Sequence, residues 1–494
     1  MKTIVVLLDS LNRHMLKLYN EHAWVKTPNI DRLAQKSIVF DNHWIGSAPC
    51  MPARRDMMTG RYSFIFKGWG GIEPFDVTLP SKLRENEIYT HIVTDHYHYF
   101  GLGGEGYCQL FNTWDLQRGQ ESDRWVSRVV PPALPESYYG QIREQYEQNR
   151  TEFIKEEDYP GPKTFSAACE WLDNNREADD FLLWVECFDP HEPFDCPKEY
   201  LDMYEDSYEG LHFNWSSYAP VTEPPEAVEH LRKLYAGLLT MTDHWLGKLL
   251  DKMDQYDLWE DTLLIFTTDH GHILGEHGFT GKNIMHLYNE IAHIPLMIHL
   301  PGSDGAGRRV NALTQNIDMM PTILDYHGIA CPDDVHGLSW RDFLEGGDEL
   351  KRDAVIYGIH GRAMNITDGN HTFFKSAESE DNYPCYSYTA MPVTHKKYLG
   401  LDIAGEIEMG RFLPNTNYPV YKIPKDGTSK KKVKGRNYIG QHIKDTLLFD
   451  LTGDYSQENP IKDKELEEKF KKMMKQILIK TEAPKEQFKR LGLD

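Results

Sequence analysis

The chain predicts an α/β fold: a mostly parallel central sheet with helices on both faces, followed by a smaller α+β domain at the C-terminus. Three observations predict it. Short unbroken apolar runs alternate with amphipathic stretches across residues 1–340, the pattern of strands that crossover helices bury on both faces. Acidic and histidine residues stand immediately after several of these runs, where open α/β sheets bind their ligands. Around Glu345–Asp353 (E-G-G-D-E-L-K-R-D) the alternation stops, and short strands, Pro-rich loops and one late helix take over.

In chain order, Val5–Leu8 is a continuous apolar strand that runs into Asp9. Thr27–Lys36 (T-P-N-I-D-R-L-A-Q-K) starts a helix with proline near its first turn, and Ile38–Phe40 is the next strand. The helical stretch Ala167–Asn175 precedes the strand Phe181–Val185, and Leu231–Met253 precedes Leu263–Thr267. A further strand, Pro295–Leu300, ends in a Pro-Gly turn. Asp9, Asp189 to His191, and Asp269 each fall just past a strand end, which points to one shared site. Domains are expected at residues 1–348 and 349–494. The second would hold strands at Ala354–Tyr357 and Thr372–Lys375 and a helix near Lys464–Lys480. The basic run Ser429–Arg436 is either a solvated loop or a rim that attracts a polyanionic substrate.

A length of 494 residues favours two domains. The 54 Lys plus Arg against 76 Asp plus Glu leave a formal charge of -22. That acidity argues against nucleic acid or an anionic membrane as partner, and any anionic substrate must rely on positive groups gathered locally. No apolar run approaches the ~18 residues of a membrane span. The N-terminal M-K-T-I-V-V-L-L-D-S lacks a small-residue cleavage site and runs straight into a candidate metal ligand. It therefore reads as the first buried strand, and the protein as cytoplasmic. Seven cysteines without paired spacing fit a reducing compartment rather than a disulfide frame.

The chemistry concentrates in a few motifs. Cys50 opens C-M-P-A-R (Cys50, Met51, Pro52, Ala53, Arg54), and M-M-T-G-R-Y (Met57–Tyr62) follows it. Together with T-P-N-I-D-R-L-A, T-T-D-H-G-H-I-L-G-E-H-G and I-D-M-M-P-T-I-L-D (Ile317–Asp325), this resembles the signature of the formylglycine-dependent (type I) sulfatases of the alkaline phosphatase superfamily. The resemblance covers most of residues 1–340, while residues 350–494 share only the general layout. It implies that superfamily's mixed, mostly parallel sheet. It also implies that a maturation enzyme oxidises Cys50 to formylglycine, whose hydrated aldehyde supplies the nucleophilic oxygen. Without that conversion Cys50 would be an ordinary buried thiol. Pro52 would help present the turn, and Arg54 would neutralise the ionised nucleophile.

The same resemblance implies one divalent metal ion held by Asp9, Asp269, His270 and the oxygen made from Cys50. His270 either ligates or orients; Asp9 and Asp269, taken alone, would read as a helix cap and a turn residue. Calcium is the first expectation and manganese the alternative. Ser10 departs from the pattern. Many sulfatases carry a second Asp there, whereas some relatives, phosphonate monoester hydrolases among them, carry a neutral residue. The missing carboxylate makes the site less negative, weakens the case for calcium over manganese and keeps a phosphorus substrate open. Nearby Asn12 is the candidate to fill the gap.

His191 in F-D-P-H-E-P-F matches the family histidine that faces the leaving-group oxygen. A positioned general acid of this kind is worth about 10²–10⁴ in rate. Lys282 in H-G-F-T-G-K fits the lysine that contacts the sulfuryl oxygens. Thr94–Phe100 (T-D-H-Y-H-Y-F) covers the family's Lys-x-His. With one inserted residue, His96 takes the substrate-binding lysine's place and His98 the histidine's; without it, Asp95 and Tyr97 fall there. Histidine in place of lysine would make activity more pH-sensitive. His360 and Arg362 in Y-G-I-H-G-R either reach the substrate or belong to a packed domain junction.

These residues imply hydrolysis of the sulfate ester of a small or carbohydrate substrate. Phosphonate monoester or phosphodiester hydrolysis on the same machinery is the alternative. A scaffold that keeps Cys50 as a thiol is the reading of another class, and it leaves the metal set, Arg54 and Lys282 without a use.

Overall fold

A computed structural model of the chain describes residues 1–104, 106–347, 350, 352–380, 382–394, 397–399, 404–424 and 445–494. Eight strands form the central sheet, in the spatial order Arg309–Val310, Ile38–Phe40, Leu296–His299, Thr262–Thr268, Lys2–Leu8, Phe181–Cys187, Tyr89–Thr94 and Thr113–Leu116. Neighbours are parallel except around Leu296–His299, which runs antiparallel to both Thr262–Thr268 and Ile38–Phe40. The sheet is therefore mixed and mostly parallel.

Alternation along the first strand divides the core. Ile4, Val6 and Leu8 face a layer built by Pro28–Gln35, Pro160–Asn175 and Pro225–Gln255. Val5 and Leu7 face the opposite layer of Cys50–Thr59, Leu79–Glu85 and Met319–Tyr326. A strand covered on both faces has no polar side to show, which is why it reads as an unbroken apolar run. Pro160–Asn175 begins seven residues before its predicted start. Pro160 and Pro162 lie in its first turn, where no intrahelical N–H is needed.

Past residue 350 the architecture changes. Val355–Gly358, Met364–Thr367, His371–Lys375 and Leu447–Asp450 form a four-stranded antiparallel sheet in that order. Lys464–Lys480 covers it. Phe470, Met474 and Leu478, four residues apart and hence on one face, pack into a cluster with Ile356, Ile366 and Phe373. Tyr62, Phe64, Ile65 and Phe66, just after the Cys50 helix, belong to that same cluster. Trp44 and Ile291 likewise pack with Val355, Tyr357 and Phe374, so apolar packing runs across residue 348. The basic run Ser429–Arg436 lies outside the described residues. Among the described residues, no helix is long and apolar enough to cross a membrane.

Candidate active site

The site sits at the carboxyl end of the three central strands. Leu8 is in register with Cys187 on one side and Thr268 on the other. Asp9, Phe188 and Asp269 therefore leave the sheet side by side, and His191 follows one turn later. Asp9 and Asp269 are fully buried. Ser10, also buried, takes the left-handed φ of 62°, a strained conformation for a non-glycine residue, and its N–H donates to Asp269 Oδ1 at 3.1 Å.

Cys50 is the first residue of a ten-residue helix, Cys50–Thr59, every residue of which is buried. Pro52 sits in the first turn. Arg54 follows Cys50 by four residues and so shares its face of the helix. Its Nε donates to Glu186 at 2.8 Å, Nη1 to Asp269 at 2.5 Å and Nη2 to Asp9 at 2.9 Å. Arg54 thus contacts the carboxylates rather than residue 50, and its influence on a nucleophile there passes through them. Burial opposes ionisation of Asp9, but Arg54, His191 and Lys282 outweigh it and hold its carboxyl well below the usual range. The Cys50 thiol moves the other way: burial, then the charge of Asp9, pushes it well above its usual value. An unmodified residue 50 is a neutral thiol and a weak nucleophile.

Asp9, Cys50, Asp269 and His270 each offer one ligand atom, all within 4.8 Å of one another. His270 Nδ1 lies 2.8 Å from the Gly271 carbonyl, which only accepts, so Nδ1 carries the hydrogen and Nε2 the lone pair. That lone pair stands 3.2 Å from Asp269 Oδ2 and 3.2 Å from Cys50 Sγ. Two carboxylates and a bare imidazole nitrogen converging in a buried space form a donor set that fits a divalent cation.

Lys282, also buried, enters from the opposite side. Its Nζ donates to Ser10 Oγ at 2.8 Å and lies 3.9 Å from Asp9 Oδ1, while Ser10 Oγ donates to Asp9 Oδ1 at 2.7 Å. Ser10 is therefore a hydroxyl bridge between lysine and carboxylate. Asn12 does not fill the position left by a second Asp. Its Oδ1 caps the short helix at Arg13–Met15 through the His14 N–H, and its Nδ2 donates to the His272 carbonyl.

The histidines divide by role. His191 Nδ1 donates to the Glu192 carbonyl, so Nε2 is the atom available for proton transfer; it faces Glu121 Oε1 at 3.9 Å. Burial and then Lys282 hold the His191 imidazolium well below its usual pKa. His98 Nε2 lies 3.5 Å from Glu121 Oε2. His96 is fully buried, 3.7 Å from Glu186 Oε1, and burial followed by Arg54 keeps its ring neutral. It offers an N–H donor rather than a positive charge. His96 and His98 pack with ring centroids 5.1 Å apart, and both rings contact Phe188. His360 is buried against the Phe64 carbonyl, and the Arg362 carbonyl accepts from Arg490. His360 thus packs against the segment after the Cys50 helix, and the Arg362 backbone against the C-terminal helix Glu486–Leu491.

Four buried residues of the site escaped the sequence reading. Glu186, the penultimate residue of the apolar strand Phe181–Cys187, anchors Arg54 and accepts from Tyr99 Oη at 2.8 Å. The predicted strand stopped one residue short of it. Glu121 bridges His98 and His191 from a left-handed φ of 41°, in a stretch with no periodic signal. Glu192 and His272 lie within two residues of predicted site residues, but which way they point depends on turns that sequence does not resolve.

The sequence profile described as Sulfatase matches residues 2–329. An arylsulfatase of Clostridium perfringens is 24% identical over 426 residues, covering 74% of this chain and 82% of that protein. A crystal structure of a phosphonate monoester hydrolase of Agrobacterium radiobacter superposes with a TM-score of 0.63 at 17% identity, covering 97% of this chain and 96% of the other. The structure of BT4656 in complex with its substrate D-glucosamine-2-N,6-O-disulfate gives a TM-score of 0.64 at 17% identity, covering 97% of both chains. At these identities the two structures establish a shared fold.

Proposed function

From the premise that the chain belongs to the sulfatase family, we infer that it hydrolyses a sulfate ester with residue 50 as the source of the nucleophile. The observation that carries this reading is the convergence of Asp9, Cys50, Asp269 and His270 within 4.8 Å, at the N-terminus of a buried helix and opposite Lys282. As formylglycine, residue 50 would supply a geminal diol, one hydroxyl attacking sulfur and the other expelling sulfate as the aldehyde returns. A divalent ion held by Asp9, Asp269, His270 and residue 50 would supply positive charge that favours the ionised nucleophile.

The chain's own residues do the rest. Arg54 holds Asp9 in the ionised form and orients Asp269 through its Nη1. Lys282, carried by Ser10, and the N–H of His96 take the sulfuryl oxygens, where positive groups lower the barrier as charge develops. His191 Nε2 first takes up a proton, favoured by the charge of Asp9 and by Glu121 at 3.9 Å, and delivers it to the ester oxygen as the S–O bond breaks, so the alcohol leaves neutral. His98 and Glu121 hold the leaving-group side of His191. Water enters once per cycle to rehydrate the aldehyde, which balances ester plus water against alcohol plus sulfate.

The substrate we assign is a small or carbohydrate sulfate, in line with the disulfated glucosamine named for the structural relative. Calcium is the assigned ion, with manganese as alternative, and a formylglycine-generating enzyme and a cytoplasmic setting complete the reading. Ser10 favours a second reading, phosphonate monoester or phosphodiester hydrolysis, because the hydroxyl removes a carboxylate from beside the anion. The test is kcat/KM of matured, metal-loaded protein on aryl sulfate and aryl phosphonate esters of one leaving group. A preference for sulfate supports the first reading; a preference for phosphonate moves the protein to the second.

A further inference from the structure

Glu192 is a buried charge that the mechanism above leaves without a task. Its carboxylate is fully buried. It stands 3.7 Å from Lys282 Nζ, 3.6 Å from His191 Nδ1 and 3.4 Å from His272 Nδ1, and neither oxygen takes a hydrogen bond. A buried carboxylate in that state is sustained by a nearby cation rather than by solvation, and the cation beside it is Lys282. On its other side the same ammonium meets Ser10 and, at 3.9 Å, Asp9. Lys282 is therefore shared between a carboxylate of the metal set and one lying behind it. Glu192 is not part of the four-residue donor group, so its charge acts on whatever anion Lys282 receives.

We propose that Glu192 is a specificity-determining residue: fixed behind Lys282, its negative charge offsets part of the ammonium's and tunes the pocket to esters carrying a single negative charge, against the doubly charged phosphate monoester. Sulfate monoesters, phosphonate monoesters and phosphodiesters are all monoanions. A phosphate monoester loses its second proton near pH 6 and brings one charge more. The inference rests on the reading of this site as an ester hydrolase and deepens it by naming the charge class of the substrate. In a pocket closed to solvent, unit charges within about 8 Å change a binding constant by about tenfold or more. The groups facing the carboxylate are Lys282, His191 and His272, with Glu121 and Asp9 beyond them. Burial raises the Glu192 carboxyl to about 7 against the pull of Lys282, so the comparison belongs near pH 8.5, about 1.5 units above that value.

The experiment compares wild type, Glu192→Gln and Glu192→Asp, matured and metal-loaded, on p-nitrophenyl sulfate and p-nitrophenyl phosphate, with the Kd of inorganic phosphate measured by calorimetry. Wild type is expected to prefer the sulfate. Glu192→Gln should raise the phosphate-to-sulfate ratio of kcat/KM, and tighten inorganic phosphate, by about tenfold or more. Glu192→Asp, which keeps the charge, should move the ratio by less than about threefold. An unchanged ratio in Glu192→Gln, or equal shifts in both variants, overturns the proposal. If wild type turns over neither ester, the proposed function fails while the phosphate Kd of wild type against Glu192→Gln still decides the role of Glu192. If Glu192→Gln does not fold, a wild-type preference for the phosphate ester overturns the proposal and a preference for the sulfate supports it.

Discussion

Lys282 and Ser10 meet across 272 residues of chain, ammonium to hydroxyl at 2.8 Å. The serine takes a left-handed φ of 62° to do so. Glycine accepts that conformation without strain, and alanine does not. Ser10→Gly and Ser10→Ala both remove the bridge. Each is expected to lower kcat/KM by about tenfold, the worth of a hydrogen bond to a charged group. Ser10→Gly alone should also relieve that strain and exceed Ser10→Ala by about 1 kcal/mol of stability, read as a higher denaturant midpoint. Equal stability of the two variants would remove strain from the account.

Arg54 pairs at once with Asp9, Glu186 and Asp269. Removing it strands three buried carboxylates, and loss of one partner from such a network costs about 3–5 kcal/mol. Arg54→Ala is therefore expected to unfold at markedly lower temperature than wild type and to recover part of the loss in acid, where the carboxylates protonate. Arg54→Lys keeps the charge but cannot reach all three, and should fall between the two. Thermal unfolding of the three proteins at pH 5 and pH 8 checks the order.

Cys50→Ala removes the proposed nucleophile from a position that makes few structural demands. Activity should fall by at least about 10³-fold, while the melting temperature stays within a few degrees of wild type. Mass spectrometry of the peptide that holds residue 50, from the native host, should show the aldehyde form. A thiol throughout active preparations would sink the formylglycine reading.

Chelation offers a fourth check. A cation that binds only the folded donor set stabilises by RT ln(1 + [L]/Kd), about 2.7 kcal/mol at a hundredfold excess over Kd. EDTA should lower the melting temperature, and calcium or manganese should restore it in proportion to the logarithm of concentration. Asp269→Asn should abolish that dependence.

His286 tests buried histidine away from the site. Its ring stacks on Phe374 with centroids 5.0 Å apart, neither nitrogen has a hydrogen-bond partner, and burial lowers its pKa to about 4. The unfolded chain binds this proton near pH 6.5 and the folded chain only near 4. Its contribution is complete above pH 6.5 and is lost as pH falls from 6.5 toward 4. His286→Phe keeps an aromatic ring and removes the titration. At pH 4.5 the variant should exceed wild type by up to about 3 kcal/mol, with a smaller difference at pH 7. Equal slopes of stability against pH would contradict this.

Much of the frame was legible because strong local rules agreed. Val5–Leu8, Leu263–Thr267 and the start near Thr27 combine periodicity with end signals, and the aspartates past the strand ends followed from the strands themselves. Asn12 instead caps the short helix at Arg13–Met15, and its residue type carried the clue, since asparagine before a short helix is a good cap. Glu186 could have been found by asking why a carboxylate should stand at the end of an apolar strand, since burial demands a cation. Glu121 left no such trace. Its position depends on an irregular segment and a strained backbone, both fixed by tertiary contacts rather than by neighbours in sequence.

The Cys50 helix is buried from end to end, and residue 50 itself is 2% exposed. A second protein that oxidises this side chain has no route to it in the folded molecule. The conversion proposed above would therefore have to come before the helix docks on the sheet, while the segment is still extended, and folding itself would close the interval for it. Expression in a host that folds the chain faster than it modifies it would then yield a population fixed in the thiol form, with correct architecture and no later remedy short of unfolding.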